Sequence, residues 1–188
     1  MNTKIFSLVI AWLPFAALAT IFAGLVYGAV QQDIRQSAND PQIQMSEDIA
    51  RALETGKKPD TFTNETKVDI AKSLAPFIMI YDDSGHLIST NATIDGVLTP
   101  IPSGVFDFVR KERQDRITWQ PREGVRIASI TTRYSGAQSG FVLVGRNMRE
   151  IEERESKLTL QVELAWLAAL ATTLLIVWFQ QMSGKQIS

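Results

Sequence analysis

The sequence predicts an α+β domain, a five-stranded antiparallel sheet with flanking helices, held between two transmembrane helices. Three observations carry this. Two long runs, Ile5–Val30 and Leu164–Phe179, contain no charged residue. Of the chain's 19 Lys+Arg and 20 Asp+Glu, all but Lys4, Lys185 and Glu163 fall between Gln31 and Lys157. Inside that polar stretch, apolar runs of strand length are separated by Gly, Pro, Asp and Ser, the punctuation of a folded sheet domain.

A spanning helix needs about 20 apolar residues to cross ~30 Å of hydrocarbon. Ile5–Val30 is long enough to span with tilt, and Pro14 inside it is expected to kink it or mark a local break. A cleaved signal peptide has a shorter apolar core, about 7–15 residues, with small residues before the cut. Here the best cut, after Ala29, puts Tyr27 where a small side chain is wanted, so the run reads as an uncleaved anchor. The second anchor runs from Leu158 to Phe179 with one charge, Glu163. That carboxylate reads as a headgroup-level group or, more sharply, as a polar contact to the other anchor or a partner helix. Trp166 and Trp178 sit near the ends of this anchor as interfacial aromatics, and Ala165, Ala168, Ala169 and Ala171 form a small-residue surface suited to close helix packing. The positive charges at the two short ends place both termini in the cytoplasm. The expected organisation is an anchor over 1–30, an extracytoplasmic domain over 31–157, a second span over 158–180 and a short tail over 181–188, in the cell (inner) membrane.

Within the domain, Asn39-Asp40-Pro41 reads as a capped helix start. Ile43, Ile49, Ala50 and Leu53 follow at helical spacing, and Gly56 closes the segment. Lys57–Asn64 reads as a loop. Val68, Ile70, Ala71 and Leu74 predict a short helix ending before Pro76. Phe77–Tyr81 is a continuous apolar strand, Asp82–Gly85 a turn, and His86–Thr90 the returning strand. Gly96–Gly104 is a loop, and Val105, Phe106, Phe108 and Val109 lead a helix to about Arg113. Arg116–Gln120 is a short strand stopped by Pro121, Val125–Tyr134 a long β-branched strand, and Phe141–Gly145 a buried one. Met148–Lys157 is a charged helix that runs into the second anchor without Gly or Pro.

Composition excludes several functions. With no cysteine, there is no disulfide framework, zinc-thiolate site or thiol nucleophile. A net charge of −1 with no basic block argues against nucleic acid as a partner. The chain lacks a phosphate-binding glycine loop, a nucleophile elbow and a zinc-binding His-Glu-x-x-His. Its single His86 reads as a surface group beside a turn, and Asp82 and Asp83 as turn acids. The expectation is a non-enzymatic protein with no metal or cofactor.

The best ligand-binding segment is Thr118–Arg126. Trp119, Arg122 and Arg126 offer an aromatic face and two guanidinium groups around a turn, a combination that stacks on and pairs with a small anionic ligand. Tyr81 and Tyr134 end strands and are expected to line the same pocket. The competing reading makes Trp119 core and leaves the arginines solvated or paired with Glu123.

The order of helix, hairpin with the turn Tyr81-Asp82-Asp83-Ser84-Gly85, second helix, and three strands leading into a membrane helix resembles the extracytoplasmic PAS-like (Cache-type) sensor domains of bacterial two-pass membrane receptors. Phe77–Thr90, Arg116–Tyr134 and Phe141–Lys157 carry the likeness. The resemblance implies a small ligand in the domain. Receptors of this class continue into a signal-transfer segment and an output domain, whereas Gln180–Ser188 holds none. The expectation is therefore a sensor that signals as a homodimer or through a partner membrane protein such as a signalling kinase, with Glu163, Ala165 and Ala169 as transmembrane packing positions. The alternative is an accessory subunit of a larger membrane complex that uses the domain for docking.

Overall fold

The computed structural model describes residues 3–37, 40–64, 66–97, 101–102, 104–136 and 138–183. They form two compact units. One comprises Arg35–Glu152; the other joins the N-terminal helix to the chain from Glu153 onward.

The domain begins with α2 (Asp40–Glu54), which follows α1 (Thr3–Ser37). The expected cap at Asn39 lies outside the described residues. The helix ends as expected at Gly56, whose φ of 91° is open to glycine at no steric cost. There Lys57 N–H reaches the Ala52 carbonyl at 3.0 Å and Gly56 N–H reaches that of Leu53 at 2.9 Å, closing the helix end. A 3-10 turn, Pro59–Phe62, sits in the expected loop.

The short helix expected over Val68–Leu74 is not formed. Val68–Asp69 is instead a two-residue strand, β1, paired in parallel with β4 (Ala92–Thr93). Val68 and Ile70 are buried around a half-exposed Asp69, a two-residue alternation rather than a helical one. Asp69 then turns the chain. Its Oδ1 accepts from Ala71 N–H at 3.1 Å, and its carbonyl accepts from Lys72 and Ser73. Such local bonds give the backbone an alternative to helix.

The main sheet holds β2 (Phe77–Asp82), β3 (Leu87–Thr90), β5 (Gln114–Arg122), β6 (Val125–Ser135) and β7 (Ser139–Asn147), all antiparallel, in the order β3-β2-β7-β6-β5. The β2–β3 hairpin forms as the sequence predicts, with Gly85 at φ 84°. β5 runs through Pro121 rather than stopping before it. It is an edge strand, so the missing N–H leaves no ladder bond unmade, and the register shifts between Trp119 and Arg122.

The central strands β2 and β7 are buried on both faces, which explains their uninterrupted apolar runs. Helix α2 covers one face with Ile49, Ala50 and Leu53 against Ile78, Ile80, Val142 and Val144. Helix α3 (Gly104–Glu112) covers the other, setting Val105, Phe106 and Val109 against Phe77, Met79, Phe141 and Leu143. Each apolar cluster stabilises at roughly 25 cal/mol per Å² removed from water.

In the other unit, α1 meets the long helix α4 (Arg149–Ser183) in an antiparallel seam. Trp12 Nε1 donates to Thr173 Oγ1 at 3.0 Å, Trp166 Nε1 donates to Thr20 Oγ1 at 3.1 Å, and the hydroxyls of Tyr27 and Thr159 lie 3.5 Å apart. Half-buried Trp12, Ala16, Ala19, Ala23 and Tyr27 recur every three or four residues, so the small-residue stripe facing the seam lies on α1. On α4, Ala169 is half-buried in the seam, whereas Ala165 and Glu163 are exposed. α1 stays helical on both sides of Pro14, with no break there. Both helices are long and apolar enough to cross a membrane, with only 0% and 6% of their apolar windows buried. A soluble core helix would hide that surface.

Candidate functional site

The residues singled out from the sequence do not converge on one pocket. Arg122 Nη1 pairs with Asp95, which also receives Lys72 Nζ at 3.3 Å, and Lys72 reaches Asp69 at 3.0 Å. The result is an exposed chain of alternating charges that neutralises itself. The Lys72 ammonium lowers the Asp69 pKa, and Asp69 in turn raises that of Lys72. Arg126 lies between buried Val125 and Ile127 on β6 and so emerges on the opposite sheet face, where its Nη1 sits 2.8 Å from Glu152 Oε1. Both guanidinium groups are thus engaged by carboxylates, neither of them Glu123.

The two tyrosines are separated as well, which corrects the expectation that they share a pocket. Tyr81 belongs to the α3 side, its ring edge-on to Phe106 at 4.9 Å. Tyr134 belongs to the α2 side and reaches across only to donate its hydroxyl to the Tyr81 carbonyl at 3.3 Å. Burial raises both phenol pKa values; for Tyr134, Asp82 and Asp83 add to the effect.

Trp119 does occupy a distinctive place. It packs against the α3-side cluster directly opposite Ile127, and its Nε1 is buried without a hydrogen-bond partner among the described residues. Two further groups on the same face share that condition. Ser129 and Thr131 are 2% and 0% exposed, and neither hydroxyl has a partner among the described residues. Alternation along β6 puts them with Ile127, and register confirms it: Thr131 pairs with Leu143 and Ser129 with Gly145. Farther along the strand, Arg133 Nε is also buried and unpartnered, although its Nη atoms reach the Arg110 carbonyl at 3.3 Å and Asp83 at 3.4 Å.

The indole and Nε–H groups only donate, while the hydroxyls donate or accept. A buried polar group left unpaired costs about 1–3 kcal/mol. Three or four such groups lie on one sheet face, with unmet hydrogen-bonding capacity that an acceptor could satisfy. Beside Ser129, Gly145 has no Cβ because the Phe77 ring occupies that space. Sequence reasoning missed Ser129 and Thr131 because hydroxyl residues in a β-branched strand look like ordinary strand formers. The available signal was the spacing Ile127-x-Ser129-x-Thr131, which assigns both hydroxyls to a core face.

From this face, β7 leads to the start of α4. Asn147 is buried and donates from Nδ2 to the Ile70 carbonyl at 2.8 Å, while its Oδ1 accepts from Arg149 N–H at 2.8 Å. Met148 N–H reaches the Arg126 carbonyl at 2.9 Å. Arg146 pairs with Glu150.

At the hairpin, the His86 backbone N–H bonds Asp82 Oδ1 at 2.8 Å and lowers that carboxyl's pKa. Asp82 is therefore committed to the turn. Among the described residues no group of three His, Asp or Glu side chains could hold a metal ion. Compared with models of known protein families the chain matches none, and no curated protein matches it.

Proposed function

We propose that the domain is a PAS-like (Cache-type) sensor module that binds a small, acceptor-rich ligand, a carboxylate being the best chemical fit, on its α3-side sheet face. The observation that carries this reading is the set of buried, unpartnered polar atoms Trp119 Nε1, Ser129 Oγ and Thr131 Oγ1. The main sheet supports it. Its five strands are all antiparallel, with α2 on one face and α3 on the other, as a five-stranded antiparallel sheet with flanking helices requires. In this reading the protein crosses the membrane twice and keeps both ends in the cytoplasm. The ligand is bound without chemical change, and a partner membrane protein or a second copy reads the result.

The mechanism follows from connectivity. A ligand that satisfies Ser129 and Thr131 favours one packing of β6 against β7. β7 ends at Asn147, whose side chain holds both the Ile70 carbonyl and the first N–H of α4. Arg126 ties β6 to the first turn of the same helix through Glu152. Because α4 is helical from Arg149 to Ser183, a shift at its base is passed along a continuous rod.

The test is thermal unfolding of the full chain in lipid nanodiscs against a panel of short-chain carboxylates, amino acids and neutral sugars. A ligand at about 100 times its Kd stabilises by ~2.7 kcal/mol, a shift of several degrees for a domain of this size. The reading predicts such a shift for a carboxylate and its loss in Thr131→Val. A panel without effect would turn the reading toward a docking subunit.

A further inference from the structure

The α1–α4 seam opens at one place into a groove of about 360 Å³, lined by Thr20, Gly24 and Tyr27 from α1 and by Thr159, Glu163 and Trp166 from α4, together with Ala23 and Val162. Three features point to an occupant. First, Glu163 is exposed and its carboxylate has no ion-pair or hydrogen-bond partner among the described residues, although it stands inside an otherwise uncharged run. At the edge of the hydrocarbon a carboxylate is a natural counter-charge for a lipid cation. Second, Tyr27 and Trp166, both amphipathic rings of the kind that settle at headgroup level, flank it. Trp166 is fixed by its bond to Thr20, and the Tyr27 hydroxyl by its neighbours Gln31 and Thr159. Glu163 lies one helical turn beyond Thr159, about 6 Å along the axis. Third, the space beside Gly24 is open: a Cβ there would meet nothing within 4 Å.

We infer that this groove binds a phospholipid with a primary ammonium headgroup, of the phosphatidylethanolamine type. The carboxylate accepts the ammonium N–H donors, the aromatic rings add cation–π attraction, and the apolar walls take the start of an acyl chain. A quaternary ammonium has no N–H to offer, and an anionic headgroup meets like charge. The inference rests on the reading that both helices cross a membrane, and it is independent of the ligand face in the domain. The groove also abuts the seam contacts Trp166–Thr20 and Thr159–Tyr27, so its occupancy bears on how the two helices hold together.

The experiment uses the full chain in nanodiscs of equal phosphatidylethanolamine, phosphatidylcholine and phosphatidylglycerol, followed by native mass spectrometry of the lipid retained after transfer to mild detergent. The expected result is retention of one phosphatidylethanolamine per chain in preference to the other two. Retention should fall about tenfold in Glu163→Gln, the scale of one lost charge-assisted contact. It should fall similarly in Gly24→Phe, which fills the open space and leaves the charge in place. Equal retention of the three lipids, or retention unchanged in both variants, would overturn the inference. A Gly24→Cys chain, in a sequence with no other cysteine, should remain unlinked under oxidation. Rapid disulfide dimerisation would show that a second copy fills the groove, and would overturn it as well. A chain that fails to enter nanodiscs at all would defeat the membrane-crossing reading, and this inference with it.

Discussion

Asn147 and Ile70 are joined by a buried hydrogen bond of 2.8 Å, from the side-chain amide of one to the main-chain carbonyl of the other. The bond fixes the end of β7 to the segment following β1. Because Asn147 also accepts from Arg149 N–H, it sets the point where the sheet becomes helix. Asn147→Ala should strand the Ile70 carbonyl and destabilise the domain by about 1–3 kcal/mol in denaturant unfolding of the full chain. Asn147→Asp keeps the acceptor for Arg149 and loses the donor for Ile70. It should unfold earlier at neutral pH than in mild acid, where the introduced carboxyl can be protonated and donate.

Gly145 makes room for the Phe77 ring, because a Cβ on this residue would collide with the ring carbons. Gly145→Ala should destabilise by about 1–3 kcal/mol through overpacking. Combining it with Phe77→Leu should cost less than the two single changes added together, since the second substitution vacates the contested space. Strict additivity in that cycle would show that the glycine serves some other purpose.

Thr131→Val replaces a buried, unpartnered hydroxyl by a methyl of nearly the same shape. For the ligand-free chain the account predicts unchanged or higher stability, by up to about 1 kcal/mol, together with loss of ligand-induced stabilisation. A marked loss of stability without ligand would mean that the hydroxyl already has a partner.

Alkaline titration should report the buried phenols. Tyr81 and Tyr134 both have folded-state pKa values raised above the ordinary 10.0. Their contribution to stability is therefore complete below that value and is lost as pH rises through the folded values. Of the chain's three tyrosines, these two should ionise only as the domain unfolds, followed as phenolate absorbance alongside circular dichroism. Acid acts in the opposite sense at the hairpin. The Asp82 carboxyl is lowered by the His86 N–H, so its stabilisation is present above 3.8 and falls away as pH drops through the folded value. Asp82→Asn should flatten that part of the acid profile.

Much of the architecture was legible because burial on two faces writes itself plainly. Phe77–Tyr81 and Phe141–Gly145 are continuous apolar runs since both faces of β2 and β7 are covered. Asp82–Gly85 and Gly56 announced their turns through residues suited to them. The failures were local. Val68–Leu74 carried too few residues for periodicity to separate strand from helix, and the deciding Asp69 side-chain bond is a matter of geometry. Pro121 signalled a stop, yet at a sheet edge it stops nothing. The site was less legible. Arg122 and Arg126 attract attention by type, but Asp95 and Glu152, distant in sequence, neutralise them. Ser129 and Thr131 matter through the absence of a partner, which only packing reveals.

The central claim is that Trp119 Nε1 meets a ligand on the α3-side face. The most direct measurement is a ¹⁵N spectrum of the four tryptophan indoles in the full chain in nanodiscs, titrated with the best-stabilising carboxylate of the panel and assigned by Trp119→Phe. The account predicts that the Trp119 indole N–H shifts downfield and exchanges more slowly as ligand is added, and that Thr131→Val weakens the response. A Trp119 signal that stays fixed while a ligand stabilises the chain would contradict it and place the binding site elsewhere.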